Sequence, residues 1–120
     1  MDIVDKSNLY VYSYTNAEIT EDSDNLRFTF TTKDVIFGSF KKILCKYEDG
    51  YEFNLLSECK KENRLFFEKG NKNLQCWFPE SEIKRVYYKY TLEVTFIHKK
   101  SLKETTIEVN FSEVKHITAC

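Results

Sequence analysis

Polar and apolar residues alternate through most of this chain, and a period of two predicts strands. NLYVYSYT (8–15) and LRFTFTT (26–32) alternate in this way on either side of a polar, acidic loop, ITEDSDN (19–25). KKILCKYEDGYEFNLL (41–56) reads as a hairpin. A two-residue Asp49-Gly50 loop would set Lys46 against Phe53 and mix the faces. A three-residue Glu48-Asp49-Gly50 loop pairs Tyr47 with Tyr51, Cys45 with Phe53 and Ile43 with Leu55, and it puts Gly50 where such loops need a left-handed residue. RLFFEKGNKNLQCWF (64–78) predicts a second hairpin around Gly70-Asn71, with Phe67 against Leu74 and Leu65 against Cys76. Its other face carries Arg64, Phe66, Gln75 and Trp77. Core packing in a sheet covered on both sides is the first reading of Phe66 and Trp77, and an exposed aromatic patch is the second.

Pro79 ends that strand. Beyond it, EIKRVYYKYTLEVTF (82–96) interleaves Lys84, Arg85 and Lys89 with three tyrosines. Split by parity, Val86, Tyr88, Tyr90, Leu92, Val94 and Phe96 form a core face, leaving Arg85, Tyr87 and Lys89 outside. A partner strand around Ile107, Val109 and Phe111 pairs Phe96 with Ile107, Val94 with Val109 and Leu92 with Phe111. A rival helix over 80–88 fits Ile83, Val86, Tyr87 and Tyr90 at i, i+3, i+4, i+7. FSEVKHI can form one helical turn capped by Ser112. The pattern therefore predicts a mainly β fold, all-β or α+β with at most one or two short helices. Its seven to nine strands form an antiparallel, hairpin-rich sheet closed as a sandwich, barrel or strongly bent sheet.

Composition agrees: ten Phe, eight Tyr and one Trp against one Pro and three Gly in 120 residues favour strands, and the length fits one domain, 1–120. Net charge is −1, but Met1–Glu58 holds 11 acidic and 6 basic residues (−5) and Cys59–Cys120 holds 8 and 12 (+4). That asymmetry points to a polar interaction surface. MDIVDKSNLY lacks the basic and apolar regions of a secretory signal, and no window is apolar enough to span a membrane. The expected location is cytoplasmic, with Cys45, Cys59, Cys76 and Cys120 as reduced thiols.

The chemistry-bearing residues are sparse. No C-x-x-C pair occurs, so neither a metal site nor any cofactor is expected. Gly38, Gly50 and Gly70 are isolated and make no phosphate loop. His98 and His116 with Lys99 are the sharpest enzymatic candidates, as acid and base in phosphodiester cleavage, but that role needs converging geometry. Nucleic-acid binding lacks a basic excess. The remaining expectation is no enzyme but a protein-binding module, an inhibitor or immunity-type protein that neutralises a toxin or enzyme. Glu18, Glu21, Asp22 and Asp24 would steer toward a basic partner such as a nuclease. Phe66 and Trp77 would supply an aromatic anchor, and Arg85, Tyr87 and Lys89 an outer patch.

Overall fold

The computed structural model describes residues 9–15, 26–32, 35–67, 73–85, 88–98 and 102–118. Nine strands among them form two sheets, as the alternation predicts. β1 (Leu9–Thr15), β2 (Leu26–Thr32), β5 (Leu65–Phe67), β6 (Asn73–Trp77) and β9 (Lys115–Thr118) make a five-stranded sheet in the order β5-β6-β2-β1-β9. β3 (Val35–Tyr47), β4 (Glu52–Asn54), β7 (Tyr90–His98) and β8 (Glu104–Asn110) make the second, in the order β4-β3-β7-β8. Inner faces meet in a core of Phe28, Phe30, Leu74 and Cys76 from one sheet and Ile43, Cys45, Leu92, Val94 and Phe96 from the other, all with no exposed surface (0%). Phe28 meets Tyr90 edge-on at 5.3 Å and Phe30 meets Phe40 at 6.2 Å, so aromatic pairs tie the sheets together. Each sheet takes strands from both halves of the chain, so the −5 and +4 halves do not become separate faces.

Both predicted hairpin registers hold where strands exist: Cys45 faces Phe53, Leu65 faces Cys76 and Phe67 faces Leu74. Gly50 adopts φ 89°, and the loop closes with Tyr47 N–H on the Tyr51 carbonyl at 2.9 Å. The expected Ile43–Leu55 pair is corrected. Asn54 caps a helix, α1 (Leu55–Lys61), by accepting the Ser57 N–H at 3.3 Å. Leu55, Leu56 and Cys59 are buried, and the helix packs on β3, β4, β5 and β6, closing one opening between the sheets. A helix of seven residues presents too little period to stand out against an apolar strand pattern.

The strand predicted to enter at Val86 begins instead at Tyr90. Residues Glu80–Arg85 form 3-10 turns, the rival helical reading in shorter form. Two anchors pull this segment out of line. The Glu62 carboxylate accepts the backbone N–H groups of Glu80 (2.7 Å) and Ser81 (3.2 Å), and Arg85 binds Asp49 at 2.6 Å. Tyr88 is consequently 53% exposed rather than in the core, while Tyr90 is buried. The β7/β8 register is also corrected: Val94 faces Ile107 and Leu92 faces Val109, two residues from the expected pairing. An even slip leaves every side chain on its face, so the alternation cannot distinguish the two. Phe111 leaves the ladder for a 3-10 turn, Phe111–Glu113, whose cap is Asn110 rather than Ser112. The chain then adds β9 parallel to β1.

On the outer face of the four-stranded sheet Glu93 stands opposite Glu108, a repulsive pair. Lys46 Nζ bridges them at 3.0 and 3.5 Å, and Lys42 reaches Glu93 at 3.4 Å. The Lys46 hydrogen bond holds the Glu93 carboxyl below its ordinary range. A carboxyl whose folded pKa is lowered contributes stability above its unfolded pKa, about 4.3, and loses it as pH falls through the lower folded value. Lys46→Met is therefore expected to lower the urea midpoint near about pH 7, and the difference from the parent should shrink as pH falls below the ordinary carboxylate range. A constant difference over that fall in pH would show that the bridge is electrostatically idle.

Candidate functional site

The outer face of the five-stranded sheet is built quite differently. Its five strands contain no Asp or Glu; the charged residues they place are Arg27 and Lys115. Because Phe28 and Phe30 point inward, Arg27, Thr29 and Thr31 point out, and the same parity turns Tyr12 and Tyr14 of β1 outward. Cross-strand register then sets one row: Trp77 opposite Arg27, Arg27 opposite Tyr14 and Tyr14 opposite Ile117. The Arg27 guanidinium lies 4.9 Å from the Tyr14 ring centre and 5.3 Å from that of Trp77, a cation held between two rings. Phe66 meets Trp77 edge-on at 5.9 Å and is 62% exposed, while Ile117 is exposed at the far edge. A cleft of about 330 Å³ beside them is lined by Glu62, Asn63, Arg64, Phe66 and Trp77.

Phe66 is therefore not packed between layers and Trp77 is only half-buried, and among the described residues no second layer covers this side. Arg27 Nε is buried without a hydrogen-bond partner, an arrangement that ordinarily costs about 1–3 kcal/mol. A face whose strands carry Trp, Tyr, Phe and Arg and no Asp or Glu has the composition of binding hot spots.

Arg85 is not free to form an outer patch. Arg85 lies over Tyr51 at 4.1 Å and near Tyr47 and Tyr88 at 5.2 Å each, and its charge is met by Asp49. That hydrogen bond lowers the Asp49 pKa and raises that of Arg85. The Tyr51 hydroxyl donates to the Glu82 carboxylate at 2.8 Å, completing a clasp between the β3–β4 loop and the 3-10 segment. Lys89 is exposed, with Nζ 5.9 Å from the Phe111 ring. Tyr87, Glu18, Glu21, Asp22 and Asp24 lie outside the described residues.

The two histidines are not brought together. His116 sits at the Tyr90 end of β7, through Phe111, whose ring is 5.3 Å from Tyr90 and 4.5 Å from His116. His98 ends β7 eight residues further on, about 26 Å away at about 3.3 Å per residue. His116 is also committed locally. Its Nε2 donates to the Phe111 carbonyl at 3.1 Å, so Nδ1 is the acceptor for the Ser13 hydroxyl at 2.7 Å. Ser13 is 1% exposed, which withholds it from any substrate and makes the pair a tie between β1 and β9. His116→Ala should cost about 1–3 kcal/mol by leaving that hydroxyl unpaired. Adding Ser13→Ala should recover part of the loss in urea denaturation, and additive losses would deny the coupling.

Cys45, Cys59 and Cys76 are free, fully buried thiols, and burial pushes Cys45 up to about 12. They are packing residues rather than nucleophiles. Among the described residues no group of His, Cys, Asp or Glu could hold a metal ion, and no helix is long and apolar enough to cross a membrane.

Arg27, Tyr12 and Tyr14 are the members of this face that sequence reasoning overlooked. Their alternation is plain in LYVYSYT and LRFTFTT, but the β2–β6 pairing that puts Arg27 beside Trp77 spans about fifty residues and leaves no local mark. No protein family matches the chain, and no curated protein or solved structure is similar enough to count as a match.

Proposed function

We propose that this chain is a protein-binding module of the inhibitor or immunity type, acting in the cytoplasm, and that it docks through the outer face of the five-stranded sheet. The observation that carries the reading is the row Trp77–Arg27–Tyr14 with Phe66 exposed beside it. Aromatic and arginine side chains of this kind dominate interface energetics because they offer large contact area at low entropic cost. The opposite outer face supports the assignment by contrast. Four of its charged residues, Lys42, Lys46, Glu93 and Glu108, pair with one another. Under this reading the acidic stretch with Glu18, Glu21, Asp22 and Asp24 favours a partner with a basic region, such as a nuclease toxin.

Single-stranded nucleic acid is the second reading, since rings and a cation share one exposed face. It is weaker because Tyr14 and Trp77 already meet the Arg27 guanidinium, and because the net charge of −1 supplies no basic excess.

The test places a photo-crosslinking amino acid at position 66, and separately at Thr106 on the outer face of β8, in cells of the native host. Position 66 should give a discrete protein adduct that Thr106 does not, and Tyr14→Ala should weaken it. The captured protein, once purified, should lose its activity on stoichiometric addition of this chain. No adduct from position 66, or equal adducts from both faces, would overturn the proposal.

A further inference from the structure

The chain has three arginines, and their surroundings differ in one respect. Arg64 Nε lies 3.6 Å from Glu62 and Arg85 lies 2.6 Å from Asp49. Arg27 has no carboxylate among the described residues. Two rings hold it in place instead, and its five-stranded sheet contributes no Asp or Glu within its strands. A guanidinium positioned in this way has already lost most of the rotamer freedom that binding would otherwise remove. With Nε buried, a contact with a planar oxyanion would be end-on and bidentate, through the two terminal nitrogens.

We propose that Arg27 is the docking point for a carboxylate side chain, Asp or Glu, of the partner protein, seated between Tyr14 and Trp77 and rimmed by Phe66. This inference rests on the protein-binding reading above and adds the chemistry of the central contact. Three observations favour a carboxylate on a protein over a nucleic-acid phosphate. In the row Trp77–Arg27–Tyr14–Ile117 Arg27 is the one cation, set between two rings, which fits one anion rather than a repeating one. The guanidinium already occupies one side of each flanking ring, which leaves less ring surface for bases. The sequence that precedes β2 includes Glu18, Glu21, Asp22 and Asp24, and that charge disfavours a polyanion more than a lone carboxylate on a basic protein. The partner surface is therefore mixed: a basic region with an acidic residue at its centre.

Three arginines give three Nε–Hε cross-peaks in a ¹⁵N spectrum, which Arg27→Lys, Arg64→Lys and Arg85→Lys assign one at a time. The probe is a capped Gly-Leu-Glu-Leu-Gly peptide, with the Gln peptide and ten-nucleotide oligothymidylate as comparisons. The Glu peptide should move the Arg27 peak saturably, leave the peaks of Arg64 and Arg85 in place, and bind at least five-fold more tightly than the Gln peptide. Trp77→Phe, which keeps a ring in the row, should retain the response, and Trp77→Ala should weaken it. No shift of the Arg27 peak, equal response to the Gln peptide, or a shift with oligothymidylate at lower concentration than the Glu peptide would each overturn the assignment. A wild-type adduct at position 66 that survives Arg27→Ala undiminished overturns the carboxylate contact but leaves the protein-binding reading standing. Absence of any adduct in the wild type sinks that reading itself.

Discussion

Replacing Phe28 by alanine is expected to remove about 3–5 kcal/mol of folding stability, a large share of the roughly 5–15 kcal/mol typical of a domain this size. Phe28 has no exposed surface and sits in β2, the strand between β6 and β1, where its ring meets Tyr90 at 5.3 Å and Phe30 at 6.3 Å. Truncation opens a cavity at the contact between sheets, and close-packed neighbours relax into it only partly. Urea denaturation with an unchanged slope is the measurement. A loss below about 1 kcal/mol would mean that the two sheets do not meet at this ring.

Trp77→Ala should show the opposite profile. Trp77 stands on the other face of the sheet, opposite Arg27, and is only half-buried. Its loss removes one cation–π contact and one edge contact with Phe66, about 1–2 kcal/mol together. The domain should remain folded, with its circular dichroism spectrum intact. Affinity for the protein crosslinked at position 66 should fall by about 2 kcal/mol or more, roughly 30-fold, because a central aromatic anchor is lost and Arg27 is released from its clamp. Titration calorimetry of parent and variant reads this directly. Unchanged affinity would move the docking surface elsewhere on the molecule.

The contrast between these residues also marks how far the chain could be read unaided. Phe28 was legible as core from the alternation of LRFTFTT, as were Cys45, Leu92, Val94 and Phe96 from theirs. Phe66 was ambiguous, since both faces of its hairpin are apolar and parity alone does not say which is covered. Tyr88 was misplaced because the alternation of 86–96 continues smoothly through a point where the chain departs from the strand. What interrupts it is the capture of Glu80 and Ser81 by Glu62, and of Arg85 by Asp49, across 18, 19 and 36 residues. Helix α1 was missed for a related reason: its start depends on Asn54, whose side chain also accepts the Ile43 N–H at 3.4 Å across the hairpin.

By itself, then, the sequence determined most of the strand segments, the inward face of most of these and the two short hairpin registers, because a period of two and a turn residue act over a few neighbours. It also ruled against glycine-rich phosphate loops and paired-cysteine metal sites, since those depend on local spacing. Only the tertiary structure decided which strands became neighbours, that β9 joins β1 in parallel, that His98 and His116 stand at opposite ends of β7, and that Arg27 lies between Tyr14 and Trp77. Each of these follows from pairings between distant segments, whose free energy comes from burying the two inner faces together and whose partners are not encoded in any single stretch of chain.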